Sequence, residues 1–94
     1  MNLITLRFIL GEADQTTYIQ ELNGLKPFWE KHGYSFSLFR DATHKERFIQ
    51  LMLTENSIDD LTHLIQTQPQ AKQIFESIKE TKSRVMIQVF EQIV

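Results

Sequence analysis

The stretch that decides the fold of this chain is residues 34–54, YSFSLFRDATHKERFIQLMLT. Residues 34–41 repeat aromatic and apolar side chains with a period of two, and residues 47–54 form a second apolar run, so each segment is predicted as a β-strand. The polar residues between them, from Asp41 to Glu46, form a short connection. The two strands are therefore expected to pair as an antiparallel hairpin.

Upstream of the hairpin, the sequence predicts a strand over residues 2–10 and then an amphipathic helix. The helix is indicated by side chains that recur at steps of three and four, namely Tyr18, Leu22, Leu25, Trp29 and His32. Asp14 or Thr16 is placed to cap the start of this helix, and Gly33 is placed to stop it. Pro27 is expected to kink the helix or to separate its last turn.

Downstream of the hairpin, Asn56 or Ser57 is a candidate N-cap for a second helical region. Its buried stripe is predicted to consist of Ile58, Leu61, Leu64, Ile65, Ala71, Ile74, Phe75 and Ile78. Pro69 is expected to break this region into two pieces, because proline interrupts the helical hydrogen bonds. A final strand is predicted over about 84–94.

The resulting order, β-α-β-β-α-β, predicts a single α+β domain that spans residues 1–94. With right-handed crossovers, this order closes as a ferredoxin-like fold. The expected sheet is antiparallel, with strand order 4-1-3-2 and both helices on one face. That order places the apolar first and third strands in the centre of the sheet.

The two strands at residues 47–54 and 84–94 carry large apolar side chains on both faces, although the helices cover only one face of the sheet. Leaving about six such side chains in water would forfeit on the order of 10 kcal/mol. We therefore predict a homodimer that packs sheet to sheet as a dimeric α/β barrel. Alternatively, strand ends and the C-terminal segment fold over this face. The predicted interface comprises Ile49, Leu51, Leu53, Val85, Ile87 and Val89.

The composition excludes several classes of protein. Ten Lys and Arg residues against twelve Asp and Glu residues give a net charge of −2, which is unlike a polybasic nucleic-acid binder. The chain has no cysteine and therefore no disulfide or thiolate chemistry. The apolar run at 2–10 is too short to span a membrane and lacks the features of a signal peptide. The expectation is a cytoplasmic protein that binds neither nucleic acid nor membranes.

Several segments resemble the antibiotic-biosynthesis-monooxygenase (ABM) type of dimeric α/β barrel. These segments are residues 32–41 (HGYSFSLFRD), the Arg-Phe pair at 47–48, Glu-Asn-Ser at 55–57, and Leu61 with His63-Leu64. The resemblance implies a ferredoxin-like dimer. Oxygenases of this family oxidise polycyclic aromatics or degrade haem without a flavin or a permanently bound metal, so no cofactor is expected.

The chain departs from the oxygenase pattern at two places. The family's oxygenases carry an Asn in the first strand, whereas here only Asn2 lies there, at the outer end. Thr54 closes the third strand where those oxygenases have a tryptophan, and Trp29 lies on the first helix instead.

His63 and Gln50 are the candidate catalytic residues. His63, near the apolar stripe of the second helix, is predicted as a base or an axial iron ligand, or alternatively as a rim residue. Gln50 and Arg7 are polar residues on central strands, and buried polar groups need partners. They are candidates to orient a substrate, or alternatively to form a hydrogen bond and an ion pair across the dimer. His32 and His44 have no metal-ligand spacing, so no metal site is predicted.

A slot for a flat hydrophobic ligand is predicted between sheet and helices, because ligand sites are mostly apolar with few polar anchors. Its candidate lining is Phe8, Trp29, Tyr34, Phe36, Phe48, Met52, Thr54 and Phe75, and the alternative is that these residues are ordinary core. The charged residues around the hairpin, which include Arg40, Asp41 and Arg47, are expected to form a cross-strand group of ion pairs.

The leading functional hypothesis is a cofactor-independent monooxygenase acting on a hydrophobic or aromatic small molecule. The alternative is a non-catalytic ligand-binding or dimerisation module with the same fold. Haem binding or degradation is a third option.

Overall fold

The structure, a computed structural model, describes the backbone of residues 1–80 and 84–94, and the side chains of 1–77 and 84–94. It contains seven elements in chain order: β1 (Asn2–Ile9), α1 (Glu12–Lys31), β2 (Ser37–Arg40), β3 (Arg47–Thr54), α2 (Ile58–Thr67), α3 (Pro69–Glu80) and β4 (Met86–Glu91). None of the described helices combines the length and the apolar character that a membrane crossing requires.

The four strands form one antiparallel sheet in the order β2-β3-β1-β4. This is the predicted order counted from the opposite edge, so the ferredoxin-like topology is confirmed. The central pair β1 and β3 is joined along its whole length, from Asn2 opposite Thr54 to Ile9 opposite Arg47.

The first helix is longer than the sequence predicts. It begins at Glu12, with Gly11 and not Asp14 or Thr16 as its N-cap, and it continues through Pro27 to Lys31. Of the two outcomes expected for Pro27, separation of the last turn is therefore wrong. Pro27 cannot donate a hydrogen bond to the carbonyl of Asn23. Both residues are exposed, so water can satisfy that carbonyl and the helix tolerates the proline.

The second helical region is divided as predicted. Ser57 caps α2, with its hydroxyl accepting from the backbone N–H of Asp60 at 3.1 Å. The Asp60 carboxylate in turn accepts from the backbone N–H of Ser57 at 3.0 Å, which completes a capping box. Pro69 becomes the first residue of α3, where its missing N–H would have no intrahelical partner.

Replacing Gly33 by Ala is expected to lower the free energy of unfolding by about 1–2 kcal/mol, because Gly33 has φ 89° and an L-residue is strained there. A Cβ at this position would also lie 3.3 Å from the side-chain nitrogen of Asn56. Urea denaturation measures the change. The control is Gly24→Ala inside α1, where no atom lies within 4 Å of an added Cβ and the variant should be stabilised. A destabilisation of the same size in both variants would contradict this account.

The two faces of the sheet differ sharply in burial. Residues directly opposite each other in an antiparallel ladder share a face. The face packed on the helices, here called the helix-side layer, is buried and carries Ile4, Leu6, Phe8, Phe48, Gln50 and Met52 against Tyr18, Leu22, Leu25, Trp29, Ala71 and Ile74. The other face, here called the outer face, carries Leu3, Thr5, Arg7, Ile9, Ser37, Phe39, Arg47, Ile49, Leu51, Leu53, Met86, Gln88 and Phe90.

The register of β4 corrects one part of the predicted interface. Ile87 lies opposite Leu6 and Val89 lies opposite Ile4, so both point to the helix side and not to the outer face, although they are 51% and 40% exposed and are not part of the buried layer. Val85 follows the same alternation and packs against the core. A shift of one residue exchanges the two faces of a strand, and the apolar residues on both faces of β4 gave no signal to fix the register. Met86, Gln88 and Phe90 are therefore the outer-face residues of β4.

Candidate functional site

The aromatic residues predicted to line a slot lie together in the helix-side layer. Phe8, Trp29, Tyr34, Phe36, Phe48, Met52 and Thr54 are buried, and Phe75 is half-buried at the margin. The Trp29 and Tyr34 rings meet edge to face at a centroid distance of 5.2 Å, and the Phe8 and Phe48 rings stack at 5.9 Å. These side chains pack against one another as core.

Polar atoms are buried in this apolar layer. Gln50 has no exposed surface, and by register it lies between Leu6 and Leu38. Its amide nitrogen donates to the backbone carbonyl of the next residue at 3.4 Å, and its Oε1 has no hydrogen-bond partner among the described residues. The Trp29 Nε1 and the Tyr18 hydroxyl are also buried without a described partner. Each such group costs about 1–3 kcal/mol when left unsatisfied.

The hydroxyl groups of the two buried tyrosines, Tyr18 and Tyr34, have no described hydrogen-bond partner. Burial raises the pKa of Tyr18, and the nearby carboxylate of Glu21 raises this pKa further. Burial also raises the pKa of Tyr34, an effect that the side chain of Asn56 partly offsets. Both phenols therefore stay protonated at neutral pH. They can hold a ligand oxygen, but they are poorly suited to remove a proton.

His63 does not line the helix-side layer. Leu61, Leu64 and Ile65 form the inward stripe of α2, and His63 is turned to the exposed side of that helix. The expectation that His63 faces a cavity as a base or an iron ligand is therefore wrong. Its neighbour is Asp60, a carboxylate whose pKa is lowered first by hydrogen bonds from Ser57 and then by the proximity of His63.

The other two histidines are also outside the helix-side layer. The His32 Nδ1 lies 2.8 Å from the carbonyl oxygen of Phe28 at the end of α1, and His44 is exposed in the hairpin connection. Within the described residues, no group of three or more His, Asp or Glu side chains is arranged as a metal site.

Thr54 has a structural role in this region. Its hydroxyl donates to the carbonyl oxygen of Gly33 at 2.9 Å and accepts from the backbone N–H of Asn56 at 3.0 Å. These bonds tie the end of β3 to the end of α1 and to the start of α2. The hydroxyl proton and one of the two acceptor lone pairs are used locally, so Thr54 cannot donate a hydrogen bond to a ligand without giving up the bond to Gly33.

The outer face exposes large apolar side chains, including Phe39, Leu53, Met86 and Phe90. At its centre, Thr5 is only 3% exposed, and its hydroxyl has no described hydrogen-bond partner. Single exposed apolar residues are common, but a contiguous apolar face of this kind usually marks an interface.

The predicted ion-pair group around the hairpin does not form among the described residues. The carboxylate of Asp41 instead accepts from the backbone N–H and hydroxyl of Thr43, both at 2.8 Å, and from the backbone N–H of His44 at 3.1 Å. These bonds lower its pKa to about 2. The only ionisable side chain of opposite type within 4 Å of Asp41 in the described chain is His44, whose Nδ1 lies 3.9 Å from the carboxylate.

Comparison with known proteins identifies the fold. No protein-family model matches the chain, and no curated protein matches it. Among solved structures, a candidate antibiotic biosynthesis monooxygenase from Deinococcus radiodurans is 16% identical, with a TM-score of 0.80 over 98% of this chain and 92% of that one. A point mutant of SnoaB, a cofactor-independent oxygenase from Streptomyces nogalater, is 13% identical, with a TM-score of 0.80 over 99% of this chain and 93% of that one.

A protein of unknown function from Bacteroides thetaiotaomicron, a candidate oxidoreductase, is 16% identical, with a TM-score of 0.80 over 97% of this chain and 96% of that one. The chain therefore has the ABM-like ferredoxin-like fold that the sequence resemblance implies, along essentially its whole length.

Proposed function

We propose that this protein is an ABM-like homodimer that binds an aromatic or hydrophobic small molecule in the helix-side layer of each protomer. The observation that supports this proposal is the set of buried polar atoms in this layer without described partners, namely Gln50 Oε1, Trp29 Nε1 and the hydroxyl groups of Tyr18 and Tyr34. Buried polar groups in native proteins are nearly always hydrogen-bonded. A ligand with a few oxygen atoms on a flat apolar body supplies the missing partners and fits the surrounding aromatic rings.

Gln50 and Trp29 have complementary roles in this proposal. The Gln50 Oε1 accepts a hydrogen bond from a ligand hydroxyl, and the Trp29 Nε1–H donates to a ligand carbonyl or hydroxyl oxygen. Phe75 is half-buried at the margin of the layer, so we expect a ligand to enter beside it. Because the layer is packed, entry requires side chains to move apart, and binding should be slow compared with diffusion.

The dimer is proposed to form through the outer face. Its exposed apolar side chains regain hydrophobic free energy when they are covered, at about 25 cal/mol per Å² of apolar surface. A second sheet that packs on this face also offers the buried Thr5 hydroxyl a partner. The helices stay on the outside, and each helix-side layer remains within its own protomer.

Cofactor-independent oxygenation is the second candidate function, and the fold likeness to SnoaB favours it. No histidine or carboxylate is buried in the described helix-side layer to take a proton. A substrate would therefore have to ionise by itself, as acidic hydroxyaromatics do. The rate of oxygen uptake with a hydroxyquinone should then fall in Gln50→Leu and be unchanged in His63→Ala. If the wild type takes up no oxygen, this second candidate is wrong and only the proposed ligand binding is retained.

Haem binding or degradation, the third option, predicts a shift of the Soret band when haem is titrated with the protein. If the band does not shift, this option is wrong.

Replacing Gln50 by Leu separates binding from stability. The variant removes a buried amide whose oxygen lacks a described partner, so the free energy of unfolding is expected to rise by about 1–3 kcal/mol. Binding of a hydroxyanthraquinone probe, followed by fluorescence, should be lost at the same time. The matched control is Gln73→Leu, because Gln73 is exposed on α3. Unchanged probe affinity in Gln50→Leu would contradict the proposed anchor.

A further inference from the structure

One end of the sheet holds a large cleft that borders the helix-side layer at Phe8 and Phe48 and is lined mainly by residues outside that layer. It forms where β1 and β2 end and β3 and β4 begin, and its volume is about 780 Å³. This size lies within the range of small-molecule sites, which is roughly 300–1,000 Å³. All four arginines of the chain line this cleft, namely Arg7, Arg40, Arg47 and Arg84.

The four arginines come from distant points in the sequence and meet through the sheet register. Arg7 lies opposite Ile49 on one side and Met86 on the other, and Arg47 lies opposite Ile9, which is two residues beyond Arg7. Arg40 ends β2, and Arg84 stands two residues before β4. Three strands and the segment just before β4 therefore each bring one arginine to the same end of the sheet.

These guanidinium groups lack carboxylate partners in the described chain. All four side chains are exposed, and none forms an ion pair with a described residue. Among the described residues that line the cleft, Asp41 is the only acidic one, and its carboxylate is already held by Thr43 and His44. In a protein with a net charge of −2, the cleft thus concentrates positive potential at one end of the sheet.

The walls between the arginines are apolar. Ile9, Phe39 and Met86 line the same cleft and are each more than half exposed. A surface that binds a nucleic-acid backbone usually carries an extended stripe of basic residues. Here the arginines instead surround an apolar cleft of limited volume, so the cleft does not resemble a nucleic-acid site. It suits a ligand that joins an anionic group to a hydrophobic body.

We propose that this cleft is a binding site for an amphipathic organic anion, with a carboxylate or phosphate held by the arginines and an apolar chain or ring against Phe39 and Met86. Arginine fits both anions because its planar fork donates two parallel hydrogen bonds. Arg7, Phe39 and Met86 also belong to the outer face, so the cleft lies at the rim of the proposed dimer interface. None of the four arginines is among the buried residues of the helix-side layer, so their substitution tests this site separately from the ligand proposed there.

Isothermal titration calorimetry with octyl phosphate and decanoate tests this proposal on the intact protein. Both probes are expected to bind with one site per protomer. Inorganic phosphate, which lacks the apolar part, and 1-octanol, which lacks the charge, should each bind at least about tenfold more weakly. The loss of one charged hydrogen-bonding group in Arg47→Gln should weaken octyl phosphate binding by about 10–100-fold. The affinity of Arg47→Lys for octyl phosphate should lie between those of the wild type and Arg47→Gln, because lysine keeps the positive charge but cannot donate two parallel hydrogen bonds.

Arg40→Gln serves as a second variant at the same site, and Lys72→Gln is the control, because Lys72 is an exposed cation on α3 outside the cleft. Thermal unfolding checks that each variant is folded. The proposal is supported if both arginine variants lose affinity and the Lys72 variant does not. It is overturned if Arg47→Gln and Arg40→Gln both bind octyl phosphate as tightly as the wild type, or if inorganic phosphate or 1-octanol binds as tightly as octyl phosphate.

Discussion

The Leu53→Glu variant is expected to be a monomer at concentrations where the wild type is a dimer. Leu53 lies on the outer face opposite Leu3, which in turn lies opposite Phe90, so it belongs to a row of apolar side chains across the sheet. A carboxylate at this position would be buried without a partner in the dimer, at a cost of about 3–5 kcal/mol. Because a homodimer carries the substitution twice, the dimer dissociation constant should rise by at least about three orders of magnitude.

Analytical ultracentrifugation over a range of concentrations measures this effect. Ile19→Glu is the matched control, because Ile19 is 40% exposed on α1 and Leu53 is 44% exposed on β3. The control makes the same chemical change on the other side of the protein and should leave the dimer intact. Equal dissociation constants for Leu53→Glu and the wild type would show that the outer face is not the interface.

The Trp29→Ala variant is expected to lose about 3–5 kcal/mol of unfolding free energy, which is typical when a large buried aromatic is truncated. Trp29 has no exposed surface, and its ring meets Phe28 and Tyr34 edge to face and stacks on Phe36. Truncation leaves a cavity that these neighbours cannot fill. Chemical denaturation followed by far-ultraviolet circular dichroism measures the loss without relying on tryptophan fluorescence.

Trp29→Phe provides the matched control, because it keeps an aromatic ring while removing the indole N–H that has no described partner. We expect it to cost less than about 1.5 kcal/mol, as conservative core replacements do. If Trp29→Ala costs no more than Trp29→Phe, then Trp29 borders an open space and the packed description of the helix-side layer is incorrect.

The sequence was sufficient to predict an element wherever its apolar residues repeat with a clear strand or helix period. The bounds of β3 agree with the prediction at both ends. Gly33, with its positive φ, follows the end of α1, and Pro69 begins α3 and so separates it from α2. The prediction was wrong for the faces of β4, because Met86 and Ile87 are both large and apolar and either could face the helices. Register in such a strand depends on pairing with β1, which a local pattern does not reveal.

The candidate site was only partly predictable for a similar reason. The burial of Gln50 was predictable because it is a polar residue on a central strand, and the structure confirms that burial. The prediction that His63 faces a cavity was wrong. His63 lies between Leu61 and Leu64 in the sequence, and a small rotation of the helix about its axis decides whether such a side chain faces the core or the solvent. The arginine-lined cleft had no local signal, since Arg7 and Arg84 are neighbours only through the pairing of β1 with β4.

The central claim is that the apolar outer face is covered by the same face of a second copy. Sedimentation equilibrium of the wild-type protein at micromolar concentration tests it most directly. The account predicts a mass of twice the 11.1 kDa protomer. A single species at the protomer mass throughout that concentration range would contradict it.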